Sequence, residues 1–252
     1  MITIKSPEEI TKLKRGGSIL ASILRELKVF VLENYQNSDL TTADVNAKSD
    51  ELMAKYGVLP AFPTAGFPTG LCISVNDEVV HGVPGSRILK EGDIVSLDLG
   101  VICEKLFTDA SISFILGKGS KIDTDLVEAT YKSLMKGIEQ VRSGATIGDI
   151  GYAIERHAFD NGFGIVREYC GHGVGYSVHE PPSIPNYGKK NSGDILKSGM
   201  ILAIEPMLVI GEEGVFVDKN NKWTVKTKDG GNSAHWEHTV VVTDKGSMIL
   251  TG

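Results

Sequence analysis

The 252-residue sequence is poor in cysteine: Cys72, Cys103 and Cys170 are odd in number, far apart and form no CxxC pair. That excludes a disulfide framework and a zinc ribbon. Long apolar runs are missing as well, since the longest, Met200 to Ile210, is interrupted by Glu205 and Pro206, so nothing is expected to enter a membrane. The opening MITIKSPEEI lacks the basic-then-apolar pattern of a secretory signal, and a cytoplasmic location is expected. There is no basic run: 26 Lys and Arg stand against 32 Asp and Glu, for a net charge of −6. A phosphate-backbone partner is therefore not expected, and no nucleic acid binding with it. No Pro/Gly/Ser-rich linker divides the chain, so a single domain over residues 1–252 is expected.

Residues 93–116, DIVSLDLGVICEKLFTDASISFIL, form two apolar runs that each carry one carboxylate, Asp98 and Asp109. The polar Cys103-Glu104-Lys105 between them reads as a hairpin turn. A turn centred between Cys103 and Glu104 would set Asp98 directly opposite Asp109, with Cβ atoms about 4.5–5.5 Å apart. Like charges so placed inside an apolar sheet repel and lose hydration, so a cation must join them or one must be protonated. The stretch reads equally as an exposed hairpin with two solvated aspartates.

The order of elements repeats. Ser6-Pro7-Glu8-Glu9 has the capping-box pattern, and Ile10, Leu13, Gly17, Leu20, Leu24, Leu27 and Val31 then recur at helical spacing. Thr41 caps a second helix that stops at Gly57. A strand over Leu71–Val75 leads to His81 beside a Gly/Pro turn, a usual place for a functional side chain and equally for a surface one. After the hairpin, Asp123 or Thr124 opens a third helix, and Thr146 caps a fourth that ends near Gly162. Four pairs of segments match in the same order: Thr41 with Thr146, Val79–Pro84 with Ser177–Pro182, Leu89–Asp98 with Leu196–Glu205, and Asp109–Phe114 with Glu237–Val242. Their offsets of 105, 98, 107 and 128 positions place a 21-residue insertion between Glu205 and Glu237, with turns at Lys219-Asn220-Asn221 and Asp229–Asn232. Asp98 thereby acquires Glu205 as its counterpart, Asp109 acquires Glu237, and His81 acquires His179. An α+β architecture of two pseudo-twofold halves, about residues 6–116 and 123–246, is expected to gather four carboxylates at its centre.

Four carboxylates in one dry pocket call for multivalent cations, and two divalent ions suffice. Asp and Glu donors with a minority of imidazole suit Mn, Fe, Co or Zn. His172, in the glycine-rich Cys170-Gly171-His172-Gly173-Val174-Gly175, is the imidazole candidate, although a histidine in such a loop is often structural.

The series Asp98-x10-Asp109, Gly171-His172-Gly173, Ile204-Glu205-Pro206 and Glu237-His238-Thr239 resembles the type I methionine aminopeptidases of the pita-bread metallopeptidase fold, over essentially the whole chain. The resemblance implies a central antiparallel sheet covered by helices. It also implies a dinuclear centre on Asp98, Asp109, His172, Glu205 and Glu237, with Asp109 and Glu237 bridging both ions. His81, His179 and Glu205 would be catalytic: Glu205 taking a proton from metal-activated water, His179 binding the oxyanion, His81 orienting the peptide. The substrate would be the N-terminal methionine of nascent polypeptides whose second residue is small; ribosome association and a monomeric form are expectations that no residue of the sequence decides. Phe67, Cys72 and Trp223 would line the methionine pocket, and each reads equally as plain core.

The sequence departs from the family pattern at Thr64, where an aromatic is usual, at Val178, often aromatic, and at His235, often glutamine. Thr64 and Val178 would widen the pocket if they face it. Proline-specific peptidases of the same fold share the five ligands but carry an extra N-terminal domain and an arginine where this chain has His235-Trp236. Metal-free relatives lose ligands, and all five are present here. The type II enzymes carry a long insertion between His172 and Glu205, an interval of only 32 residues in this chain.

Overall fold

In the computed structural model, which describes residues 2–36 and 39–252, two helix pairs cover one face of a curled antiparallel sheet. In the first half, α1 (Pro7–Asn34) and α2 (Thr42–Tyr56) precede β1 (Leu59–Pro60), β2 (Leu71–Val75), β3 (Glu78–Val80), β4 (Ile94–Cys103) and β5 (Leu106–Ile115). In the second half, α3 (Lys121–Ile138) and α4 (Ile147–Asp160) precede β6 (Gly164–Ile165), β7 (Gly171–Gly173), β8 (Glu180–Ile184), β9 (Ile201–Ile204) and β10 (Met207–Val209). The inserted hairpin β11 (Val215–Val217) and β12 (Val225–Thr227) follows, then β13 (Ser233–His235), β14 (Glu237–Val242) and β15 (Ser247–Ile249).

Local chemistry explains the helix starts. Ser6, Thr41 and Thr146 each accept from the backbone N–H three residues on, while Glu9, Asp44 and Asp149 reach back, so all three helices begin with complete capping boxes. Gly57 closes α2 in the left-handed region, φ 68°. The third helix starts earlier than expected: Ser120 is its cap, accepting from Asp123 N, and Asp123 lies inside the first turn.

The main sheet runs β1-β4-β5-β14-β9-β7-β8, with β2 also on β4 and β15 also on β14. The pseudo-twofold passes between β5 and β14, which pair antiparallel through Glu237 with Ser111 and His238 with Ala110. Matching bonds recur in the two halves. Thr41 bridges Ile88 as Thr146 bridges Ile195, Leu89 N donates to Leu40 O as Leu196 N donates to Ala145 O, and Gly92 and Gly199 turn at φ 89° and 88°.

Side-chain alternation then separates core from site. Leu97, Leu99 and Val101 of β4 and Ala110 and Phe114 of β5 pack into a core with Leu20, Leu24, Leu27 and Val45 of α1 and α2. Leu202, Ile204, Val240 and Val242 do the same with Leu126, Leu134, Ile150 and Ile154 of α3 and α4. Asp98, Asp109 and Glu237, which alternate with these core residues on the same strands, point to the opposite face, as does Glu205 just past the end of β9.

The β4–β5 register corrects one expectation. The turn is Glu104-Lys105, both left-handed at φ 49° and 69°, the two-residue geometry that suits the twist of a hairpin. Asp98 therefore pairs with Ser111 and Asp109 with Gly100. The two aspartates share a face as diagonal neighbours, on the order of 7–8 Å apart, and are not directly opposed.

Candidate metal centre

The strands deliver the five expected ligands to one face in a definite order. Asp98 is on β4, Asp109 on β5, Glu237 on β14, Glu205 just past the end of β9, and His172 on β7, where it pairs with Ala203. Asp109 and Glu237 thus occupy the two middle strands, flanked by Asp98 on one side and by Glu205 and His172 on the other. One ligand atom each from Asp109, His172 and Glu237 lie within 4.8 Å of one another, close to the ~4 Å span across a single ion with bonds of about 2.0–2.2 Å.

Glycine makes the close approach of β7 to its neighbours possible. A Cβ on Gly171 would lie 2.4 Å from Ala203 O, and one on Gly173 2.3 Å from Pro181 O. His172 Nδ1 donates to Gly173 O at 3.0 Å, which leaves Nε2 as a bare acceptor facing the centre. That Nε2 lies 3.3 Å from Glu205 Oε1. Burial, with His179 nearby, lowers the His172 pKa to about 3, so this contact joins a neutral ring to a carboxyl group and is not an ion pair.

Every carboxyl in the cluster is pushed upward. Burial raises Asp109 to about 7 against the opposing hydrogen bond from Ala110 N–H. Burial and then the Asp109 charge raise Asp98 well above the usual range. Glu205 and Glu237 rise for the same reasons, burial first and then the neighbouring carboxylates. Asp98 Oδ1, Asp109 Oδ1 and Glu237 Oε1 are buried without a hydrogen-bond partner. Unpartnered buried oxygens beside an imidazole nitrogen are costly, and divalent cations would satisfy them, with Asp109, Glu237 and His172 close enough to share one. The donors present fit metal binding on this ground.

The same face opens into a cavity of about 170 Å³ lined by all five residues together with His81, His179, Phe67, Cys72 and Trp223. Cys72 points there because it pairs with Asp98 across β2 and β4. His81 follows β3 in the left-handed conformation, φ 58°, a strained choice for a non-glycine residue. Gly82 beside it must be glycine, since a Cβ would meet Ile73 O at 2.0 Å. The His81 ring packs against Tyr169 at 5.7 Å between centroids and Trp223 at 6.5 Å, and burial lowers its pKa to about 4. His179 stands edge-on to His172, centroids 4.5 Å apart, and is likewise lowered by burial. Phe67 and Trp223 meet at 5.3 Å and 84°.

Sequence reasoning missed Phe62 and Ala65, which also line the cavity; their place in a 3-10 turn, Phe62–Ala65, carries no periodic signal. Thr64 does not meet the condition for widening the pocket: it is exposed, its hydroxyl donates to Ala61 O at 2.6 Å, and it is not among the residues that line the cavity. Val178 is buried in one apolar cluster with Phe62, Phe67 and Cys72. His235 is 2% exposed, and its Nε2 lies 3.5 Å from Glu205 Oε2 without a hydrogen-bond partner.

A curled antiparallel sheet with an acidic, one-imidazole centre defines a metal-dependent hydrolase, and residues 11–244 match metallopeptidase family M24. The chain is 40% identical to methionine aminopeptidase 1 of Bacillus subtilis over 252 residues, 100% of this chain and 99% of that one. The crystal structure of methionine aminopeptidase from Thermotoga maritima superposes with a TM-score of 0.95 at 41% identity, covering 100% of this chain and 99% of that chain. The prolidase of Pyrococcus horikoshii shares the fold, with a TM-score of 0.77 at 22% identity, and this chain covers only 63% of its length. The chain belongs to the methionine aminopeptidases of family M24.

Proposed function

We propose that the protein removes the N-terminal methionine from polypeptides whose second residue is small, using two divalent ions held by Asp98, Asp109, His172, Glu205 and Glu237. The observation that carries this reading is the set of buried, unpartnered oxygens of Asp98, Asp109 and Glu237 in the cavity that His172 also lines, with Asp109, Glu237 and His172 within reach of one ion. Asp109 and Glu237 lie between the outer ligands in the strand order, so these two would hold the ions from the midline, with Asp98 on one flank and Glu205 and His172 on the other. Mn, Fe, Co and Zn all suit such donors. When bound, the ions supply Lewis-acid polarisation of the scissile carbonyl and water with a pKa near neutrality.

The chain's own groups do the rest. Glu205 accepts the proton of the attacking water and returns it to the amide nitrogen as the C–N bond breaks and the amine leaves. His179, neutral and facing the cavity, donates a hydrogen bond to the carbonyl oxygen as negative charge grows there. His81, fixed by its packing on Tyr169 and Trp223, orients the peptide on the leaving-group side. The methionine side chain fills the apolar end between Phe67, Trp223, Phe62 and Cys72, where an unbranched thioether fits against aromatic edges. Nascent chains at the ribosome are the natural source of such substrates.

A release assay on Met-Ala-Ser and on Ala-Pro, after chelation and with Co, Mn, Fe or Zn restored singly, tests the reading. Metal-dependent release of methionine is expected. Preference for Ala-Pro would move the activity to the proline-specific class.

A further inference from the structure

Lys5 is the one buried lysine or arginine among the described residues: it is 3% exposed, and its ammonium meets Glu180 Oε2 at 2.7 Å, where the two side chains are 1% and 7% exposed. It also donates to Thr3 Oγ1 and lies 4.3 Å from the centre of the Tyr176 ring. Glu180 is the residue after His179. Its Oε2 accepts from Lys5 and from Thr3 Oγ1 at 2.7 Å, and its Oε1 accepts from the backbone N–H of Tyr176 and, at 3.0 Å, of Ser177. All four acceptor positions of the carboxylate are thus occupied. Burial alone would raise the Glu180 carboxyl, but the hydrogen bonds from Lys5, Thr3 and Tyr176 outweigh it and leave it lowered.

These bonds hold one loop from both ends. Residues 174–179 have no helix or strand of their own. Within them Ser177 Oγ donates to His179 O at 2.8 Å, and Tyr176 OH donates to Glu9 Oε1 in the first turn of α1 at 2.8 Å. Gly175, at φ 141°, leaves room for the lysine stem, since a Cβ there would lie 2.4 Å from Lys5 Cε. The far end of the clamp is anchored where Lys5 N donates to Gly199 O at 2.8 Å, two residues before β9.

We propose that Lys5 is a positioning residue for His179: its ammonium clamps Glu180, and Glu180 fixes the loop that aims the His179 ring into the cavity. The inference rests on the reading of His179 as the oxyanion donor. A buried ion pair adds little net stability over an apolar pair of the same volume, which is the wrong device for stability alone. It is a suitable device for aim, because a carboxylate with four fixed donors admits one loop geometry.

The test is a double-mutant cycle on metal-saturated enzyme with Lys5→Met, His179→Ala and the combination, reading kcat, KM and metal content. Lys5→Met is expected to lower kcat on the order of 10- to 10²-fold, no further than His179→Ala, with KM and metal content unchanged. In the His179→Ala background it should cost less than about 2-fold, the signature of one residue acting through another. If Lys5→Met does not fold, Glu180→Gln, which keeps the shape of the side chain, takes its place with the same expected non-additivity. An undiminished kcat in Lys5→Met beside a large loss in His179→Ala would overturn the clamp alone. Additive losses, or loss of metal from the Lys5 variant, would make the pair merely structural and overturn it too. An undiminished kcat in His179→Ala would overturn the role of His179 and the clamp with it.

Discussion

Asp109 and Glu237 stand on β5 and β14, the two strands that pair with one another across the pseudo-twofold, Glu237 directly opposite Ser111 and two residues in register from Asp109 on the same face. Each half of the chain thus sends one carboxylate to the midline, and each keeps one at the flank, Asp98 on β4 and Glu205 beyond β9. His172 has no carboxylate counterpart in the first half, so the two ion positions of the proposed centre would be chemically unequal although the backbone is nearly symmetric. Removing a midline ligand should disturb both positions, and removing a flank ligand only one.

Chelation should expose the strain among these carboxyls as a pH-dependent loss of stability. Folded Asp98, Asp109, Glu205 and Glu237 are all raised, Asp109 to about 7, whereas unfolded carboxyls titrate near 4. The folded state therefore holds more protons than the unfolded one, and stability is lost as pH rises through the folded values. His81, His172, His235 and His238 are lowered by burial; their opposite contribution falls below about pH 6.5 and does not enter above it. Thermal unfolding of EDTA-treated protein should occur at lower temperature at pH 9 than at pH 7, by roughly 3 °C or more, with a shallower slope when Mn is saturating. An EDTA-treated protein equally stable at both values would contradict the assignment.

His179→Ala should lower kcat by about 10²–10³, the usual cost of one lost oxyanion donor, with metal content unchanged. Steady-state kinetics beside metal analysis separates this from a binding role. A change confined to KM would make His179 a substrate contact only.

The pocket should answer to the residues that line it and ignore the one that turns away. Trp223→Ala removes the ring that faces Phe67 at 5.3 Å and should lower kcat/KM for Met-Ala peptides by at least about 10-fold, from loss of apolar contact. Thr64→Ala, at an exposed position bonded to Ala61 O, should leave it within about 2-fold. The series Met-Ala, Met-Gly, Met-Leu and Met-Lys on a common tail should show cleavage of the first two only. Equal rates on Met-Lys and Met-Ala would contradict the small-residue rule.

What could be read from the residues divides along physical lines. Caps at Ser6, Thr41 and Thr146 are local chemistry, and the structure has each where the pattern expects it. The repeat and the alternation of apolar residues with Asp98, Asp109, Glu205 and Glu237 are long-range signals that survive weak identity between the halves. The hairpin register was not legible, because Glu104 and Lys105 enter the left-handed region without the Gly or Asn that usually marks such a turn. The start of α3 was misplaced because Asp123 bonds the Ser120 hydroxyl at 2.5 Å from inside the helix, a role that looks like a cap in one dimension. Thr64 turns outward and Phe62 inward because a tight 3-10 turn sets the direction of each side chain there, and no periodic pattern extends over four residues.

Metal stoichiometry tests the central claim most directly. Protein stripped with chelator and titrated calorimetrically with Mn should bind two ions, Asp98→Asn should keep one of them, and Glu237→Ala should bind neither tightly. Two tight ions retained by Glu237→Ala would contradict a shared centre built on the midline carboxylates.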